Sequence, residues 1–96
     1  MYARVITFQY QPGKVDEGLD ILRATVVPEL RSLAGYQGAT NLVDRGSNKV
    51  VGITFWQSEA ALQASGMDKL RERFAKVASF LTAAPTVENY ELTDRE

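Results

Sequence analysis

Without a single His or Cys, this chain must do any chemistry with carboxylates, phenols, hydroxyls, amides, amines, guanidinium groups and one indole. The missing imidazole removes the side chain that most often serves as acid, base or metal ligand near neutral pH, and the missing thiol removes disulfides and thiolate nucleophiles. Asp16-Glu17 is the one close-set acid pair. It opens an amphipathic segment, where the helix dipole already explains two negative charges, so it is not read as an acid–base dyad. No Gly-rich phosphate loop and no metal-ligand spacing is present. Tyr2, Tyr10, Tyr36 and Tyr90 carry phenols that can exchange a proton, yet Tyr near sheet edges and interfaces needs no chemistry to explain it. The segment Phe55-Trp56-Gln57-Ser58-Glu59-Ala60 stands out because it sets the only Trp where a strand pattern hands over to a helix pattern. Small neighbours at Gly52 and Thr54 leave room beside that indole for a planar ring. A Trp there serves either as a core anchor or as the wall of an aromatic-binding pocket.

The elements that would hold these groups follow from periodicity. Tyr2, Ile6, Phe8 and Tyr10 fall on one parity and Ala3, Val5 and Thr7 on the other, which predicts a strand buried on both faces and therefore central. After the Pro12-Gly13 breaker, Val15, Leu19, Leu22, Val26, Leu30 and Leu33 recur in steps of four and three, a single helical stripe. Pro28 should kink that helix or tighten its last turn, and Gly35 should cap it. Residues 36–45 predict a second strand, joined through Gly46-Ser47-Asn48 in a hairpin to a third at residues 49–57, again apolar on both faces. Ser58 is a natural N-cap for a second helix. Gly66 should interrupt it before Met67, Leu70, Phe74, Val77, Ala78 and Leu81 carry its apolar side onward. Beyond Pro85, residues 86–92 alternate as a last strand.

Composition narrows the setting. Hydrophobic residues make up 45% and charged residues 24%, ordinary globular values that exclude a disordered or fibrous chain. Eleven basic against twelve acidic residues give a formal charge of −1 with no basic cluster, which argues against nucleic acid as a partner. No run approaches membrane-spanning length and no signal-like segment opens the chain, so no membrane partner and a cytoplasmic location are expected. Residues 1–96 are expected to form a single domain.

A βαββαβ order with right-handed crossovers builds a ferredoxin-like α+β fold, a four-stranded, antiparallel-containing sheet with both helices on one face and the first and third strands in the centre. The other face, carrying Val, Ile and Phe, would be a larger apolar patch than monomers tolerate, so a second copy packing sheet to sheet is expected. Val5, Ile53, Phe55 and Val87 are the candidate interface residues.

Four short stretches, in this order and separation, carry a resemblance over nearly the whole chain: Gln11-Pro12-Gly13-Lys14 after the first strand, Pro28 late in the first helix, Gly35-Tyr36-Gln37-Gly38 opening the second strand, and Trp56-Gln57-Ser58-Glu59 leaving the third. The chain resembles the antibiotic biosynthesis monooxygenase (ABM) domains of the dimeric α+β barrel superfamily. The resemblance implies a homodimeric α+β barrel and a monooxygenase that uses no cofactor, in which a deprotonated aromatic, phenolic or quinol-like substrate itself supplies an electron to oxygen. It also implies an apolar pocket between helices and sheet, lined by a Trp at the position of Trp56. Thr54, Ile6, Phe8 and Phe74 are the positions expected around it. The oxygenase members place Asn, Tyr and Arg near their Trp. Gly52 and Leu62 fall near two of those positions here, which leaves Asn41 and Arg71 as substitutes. Haem-degrading relatives carry an Asn where this chain has Ile6 and a His ligand on the second helix where it has none, so haem oxygenation is disfavoured. No catalytic base and no metal ligand is assigned. The alternative is a non-catalytic barrel that binds a hydrophobic metabolite or only assembles, with Trp56 as packing.

Overall fold

Alternating side chains place Tyr2–Gln9 (β1), Tyr36–Asp44 (β2), Lys49–Trp56 (β3) and Thr86–Glu91 (β4) in strands, and in the computed structural model they form one sheet of order β2-β3-β1-β4 with every neighbour antiparallel. The structure describes residues 1–95; Glu96 and the side chains of Met67 and Asp68, the first of them assigned above to the apolar stripe, lie outside the described residues. β1 and β3 are central, as their two apolar parities require. The architecture is the ferredoxin-like α+β fold.

Each long helix is divided. The first becomes Val15–Thr25 (α1) and Val27–Arg31 (α2), broken at Val26 rather than kinked at Pro28. Pro28 has no N–H to give and its ring crowds the carbonyl four residues earlier, so it is accommodated in the first turn of a new helix, where that donor has no partner in any case. The second becomes Glu59–Ala64 (α3) and Met67–Ala75 (α4), separated at Gly66, whose φ of 60° suits only glycine with its ψ of 150°. Helix does not run to Leu81 as the stripe predicts. It gives way to a 3-10 turn at Ala78–Phe80, because the end of β1 captures the backbone there: Gln11 N–H donates to Phe80 C=O at 2.8 Å and Thr82 N–H to Gln9 C=O at 2.9 Å.

The registers assign the faces. Tyr2, Arg4, Ile6 and Phe8 of β1 lie opposite Trp56, Thr54, Gly52 and Val50 of β3, and these rows look toward the helices. Phe8, Tyr10 and Val50 pack with Val15, Leu19 and Val77 in one apolar cluster, while Trp56 packs with Val26, Leu30 and Leu62 in a second. Val5, Val51, Ile53 and Phe55 are half-buried on the opposite face, where Leu42 is exposed and Arg95 lies 4.7 Å from the Phe55 ring centre. Val87 does not join them. It pairs with Ile6 and so belongs to the helix face, a parity that β4's own alternation could not reveal. Among the described residues no helix is long and apolar enough to cross a membrane, and no group of His, Cys, Asp or Glu could hold a metal ion.

Candidate functional site

Side chains on the helix face build upward in rows set by the register. Nearest the exit of β3, Tyr36, Trp56 and Tyr2 stand abreast; the next row is Ala39, Thr54, Arg4 and Asn89; the next is Asn41, Gly52, Ile6 and Val87. Gly52 leaves a gap in the middle of that third row, where a Cβ would come within 3.1 Å of Asn41 Oδ1 and 3.9 Å of Phe8 Cε2. Above the gap the break between α1 and α2 and the inner side of α4 fail to close completely. A cavity of about 90 Å³ results. One water needs roughly 10–15 Å³ on the same measure, so the space suits a ring system rather than a single solvent molecule.

The walls are apolar. Ile6, Phe8 and Phe74 line the cavity with Leu22, Val26 and Leu70, and the two phenyl rings meet edge to face at 5.7 Å and 87°. Trp56 lines it too, although the residue as a whole is only 1% exposed. Its indole is fixed from two sides: the N–H donates to Thr54 Oγ1 at 2.9 Å, and Tyr36 meets the ring at 5.6 Å and 69°. Thr54 and Asn41 add polar groups to the same lining. The cavity thus brings together Trp56, Thr54, Ile6, Phe8, Asn41 and Phe74 of the expected set. Arg71 is not among them; it is exposed on the outer side of α4.

Two arginines occupy the lining instead: Arg4, which sequence reasoning passed over, and Arg73, which it counted with Lys69, Arg71, Glu72 and Lys76 as a solvated helix face. Arg4 is 4% exposed, and its three nitrogens find only neutral acceptors: Ser65 Oγ, Leu62 C=O at 3.1 Å and Asn89 Oδ1 at 3.4 Å. Burial, and then the positive charge of Arg73, hold its pKa below the ordinary guanidinium value. Arg73, also 4% exposed, donates from Nη2 to Glu29 Oε1 at 3.0 Å, while its Nε–H has no acceptor among the described residues. The sequence held a partial signal for each. Arg4 sits on the same parity as Ile6 and Phe8, and Arg73 falls with Leu70, Phe74 and Val77 at helical spacing, whereas Arg71 points a quarter-turn or more away.

The sequence model described as antibiotic biosynthesis monooxygenase matches residues 1–66. The chain belongs to this family. As an ABM protein it is 32% identical over 94 residues to Rv2557, an uncharacterised protein of Mycobacterium tuberculosis H37Rv, with 96% of this chain and 41% of that protein covered. The chain therefore spans about two fifths of the length of such curated relatives. Its fold matches a monooxygenase from the gene ActVA-Orf6 of Streptomyces coelicolor, solved in complex with the ligand nanaomycin D, with a TM-score of 0.83, 19% identity and coverage of 99% of this chain and 89% of that one. Rv0793 of M. tuberculosis aligns with a TM-score of 0.74, 19% identity and 98% and 96% coverage. At such identities the ABM fold is shared and nothing finer.

Proposed function

We propose that this ABM protein is a monooxygenase that needs no cofactor and acts on a small aromatic, phenolic or quinol-like compound held in the cavity beside Trp56. One observation carries the reading: a ring-sized apolar cavity at Gly52 has two buried guanidinium groups, a hydroxyl and an amide in its lining. Positive charge in a low-dielectric site favours the ionised form of a bound phenol or enol, so the substrate can lose its proton to solvent water on entry without a dedicated protein base. The anion then transfers one electron to molecular oxygen, giving a substrate radical and superoxide. Their recombination forms a C–O bond, and the resulting peroxide takes up a proton to become a hydroperoxide. Loss of one water from an sp³ ring carbon that bears both that group and a hydrogen leaves a carbonyl, so one oxygen atom enters the product and the other leaves as water. Ile6, Phe8 and Phe74 would exclude solvent from the radical pair. Asn41 and Thr54 would orient the ring oxygen.

The open sheet face supports a homodimer, since half-buried Val5, Val51, Ile53 and Phe55 beside exposed Leu42 form a contiguous apolar surface. A non-catalytic barrel that binds a hydrophobic metabolite is favoured by a different observation: Trp56 is 1% exposed and its N–H is satisfied by Thr54, as in a packing anchor. Oxygen uptake with a panel of anthrones and quinols separates the two. The enzyme reading expects turnover, and Trp56→Phe should lower kcat/KM by roughly three- to tenfold, the equivalent of about 0.5–1.5 kcal/mol of aromatic pairing, with the folded dimer retained. Trp56 quenching without uptake would put the non-catalytic binding barrel ahead, and absence of both would favour a barrel that only assembles.

A further inference from the structure

We propose that the natural ligand of this cavity carries a carboxylate besides its ring, and that Arg73 receives that group while Arg4 keeps the surrounding field positive. The inference rests on the reading above that the cavity holds a small aromatic compound, and it narrows the class.

Charge balance is the first argument. Arg4 and Arg73 are each 4% exposed, and both line the cavity. Among the described residues the pair has one carboxylate within salt-bridge distance, Glu29, which approaches Arg73 at 3.0 Å from α2 with its side chain 38% exposed. Arg4 bonds only a hydroxyl, a carbonyl and an amide. Among the described residues one positive charge is thus left without a counter-charge amid apolar walls, an arrangement that is unfavourable by itself and is relieved by an anion.

Donor geometry is the second. Arg73 spends Nη2 on Glu29 and leaves its buried Nε–H unpartnered. The Nε–H edge of a guanidinium pairs that donor with one of the two N–H groups of Nη2, the other remaining for Glu29, and this planar pair matches the two coplanar oxygens of a carboxylate better than the single oxygen of a phenol. The lining is the third. Leu22, Leu70 and Phe74 line the same cavity of about 90 Å³ as Arg73, and besides the two arginines no described side chain in that lining carries a positive charge to meet an anion.

Calorimetric titration of the full chain with 2-naphthoate and with 2-naphthamide tests this, because the two probes share rings and outline and differ in charge. The wild-type protein should bind 2-naphthoate at least tenfold tighter. In Arg73→Gln the ratio should fall to within twofold of one while 2-naphthamide binds as before, and Arg73→Lys, which keeps the charge without the planar edge, should retain part of the preference. Circular dichroism reports whether each variant is folded; if Arg73→Gln is not, the wild-type ratio decides alone. Equal affinity for the two probes overturns the carboxylate inference and leaves the ring pocket standing. Binding of neither overturns both.

Discussion

Tyr10 carries a hydroxyl that the fold buries and leaves without a partner among the described residues. It stands just past β1, 1% exposed, with its ring against Gly18 so closely that a Cβ there would collide with the phenol. Gly18 is therefore glycine for Tyr10's sake. Burial pushes the phenol from its ordinary value of 10.0 up to about 12. A buried polar group without a hydrogen bond destabilises by about 1–3 kcal/mol, so Tyr10→Phe is expected to stabilise the protein by on the order of 1 kcal/mol in urea unfolding at pH 7. The sign of the pH effect follows from linkage: between pH 10 and about 12 the unfolded phenol ionises while the folded one stays neutral, so the unfolded state binds fewer protons and stability falls as pH rises. Wild-type protein should lose stability through that window faster than Tyr10→Phe. Parallel slopes, or a destabilised variant, would mean the hydroxyl has a partner in solution.

At the scale of elements, the division between α3 and α4 decides where the positive charge of the site sits. Ser58 caps α3 by accepting the Ala61 N–H at 3.1 Å, and Leu62 anchors it against Trp56. The chain then turns at Gly66, which lets α3 end with Ser65 Oγ and Leu62 C=O turned to Arg4 while α4 begins in a direction that carries Arg73 to the same cavity. A continuous helix would keep one fixed phase from Leu62 to Arg73. Gly66→Ala places a Cβ on a backbone with φ of 60° and ψ of 150°, and the expected destabilisation is about 1–3 kcal/mol, visible as a lower melting temperature. An unchanged melting temperature would show that the backbone there relaxes freely. The exposed Arg45–Asp16 pair, with both nitrogens at 3.0 Å from the carboxylate, ties β2's exit to α1 and holds the Asp16 carboxyl below its ordinary range. Solvent screening makes it a minor contributor next to the break at Gly66.

For the molecule as a whole, the question is what covers the sheet's second face. Helices pack on the rows that contain Trp56, Thr54 and Gly52, and the rows that contain Val5, Ile53 and Phe55 face away, with Arg95 laid across Phe55. Apolar area left in water costs about 25 cal/mol per Å², so a sheet face of this composition has a strong tendency to pair. Light scattering on a size-exclusion column should give twice the 10.6 kDa chain mass. A clean monomer at micromolar concentration would count against the barrel.

Local periodicity is the part of this protein that its sequence determines alone. Strand alternation at Tyr2–Gln9 and the four-and-three spacing from Val15 to Leu30 depend on neighbours a few residues apart, so element order, the ferredoxin-like arrangement and the central place of β1 and β3 were legible before any coordinates. The resemblance through Trp56 and its flanks led to the same family and to six residues that share a cavity. Three features were settled only in three dimensions. Val87's face depends on its register against Ile6, which lies on the far side of the chain. The break at Val26 depends on how Pro28 is fitted into the second of two helices. The choice of Arg73 over Arg71 depends on the phase with which α4 docks after Gly66. Arg4 shows the same limit most plainly: a charge amid an apolar parity is visible in sequence, but its meaning comes from Ser65, Leu62 and Arg73, which only tertiary packing brings within reach.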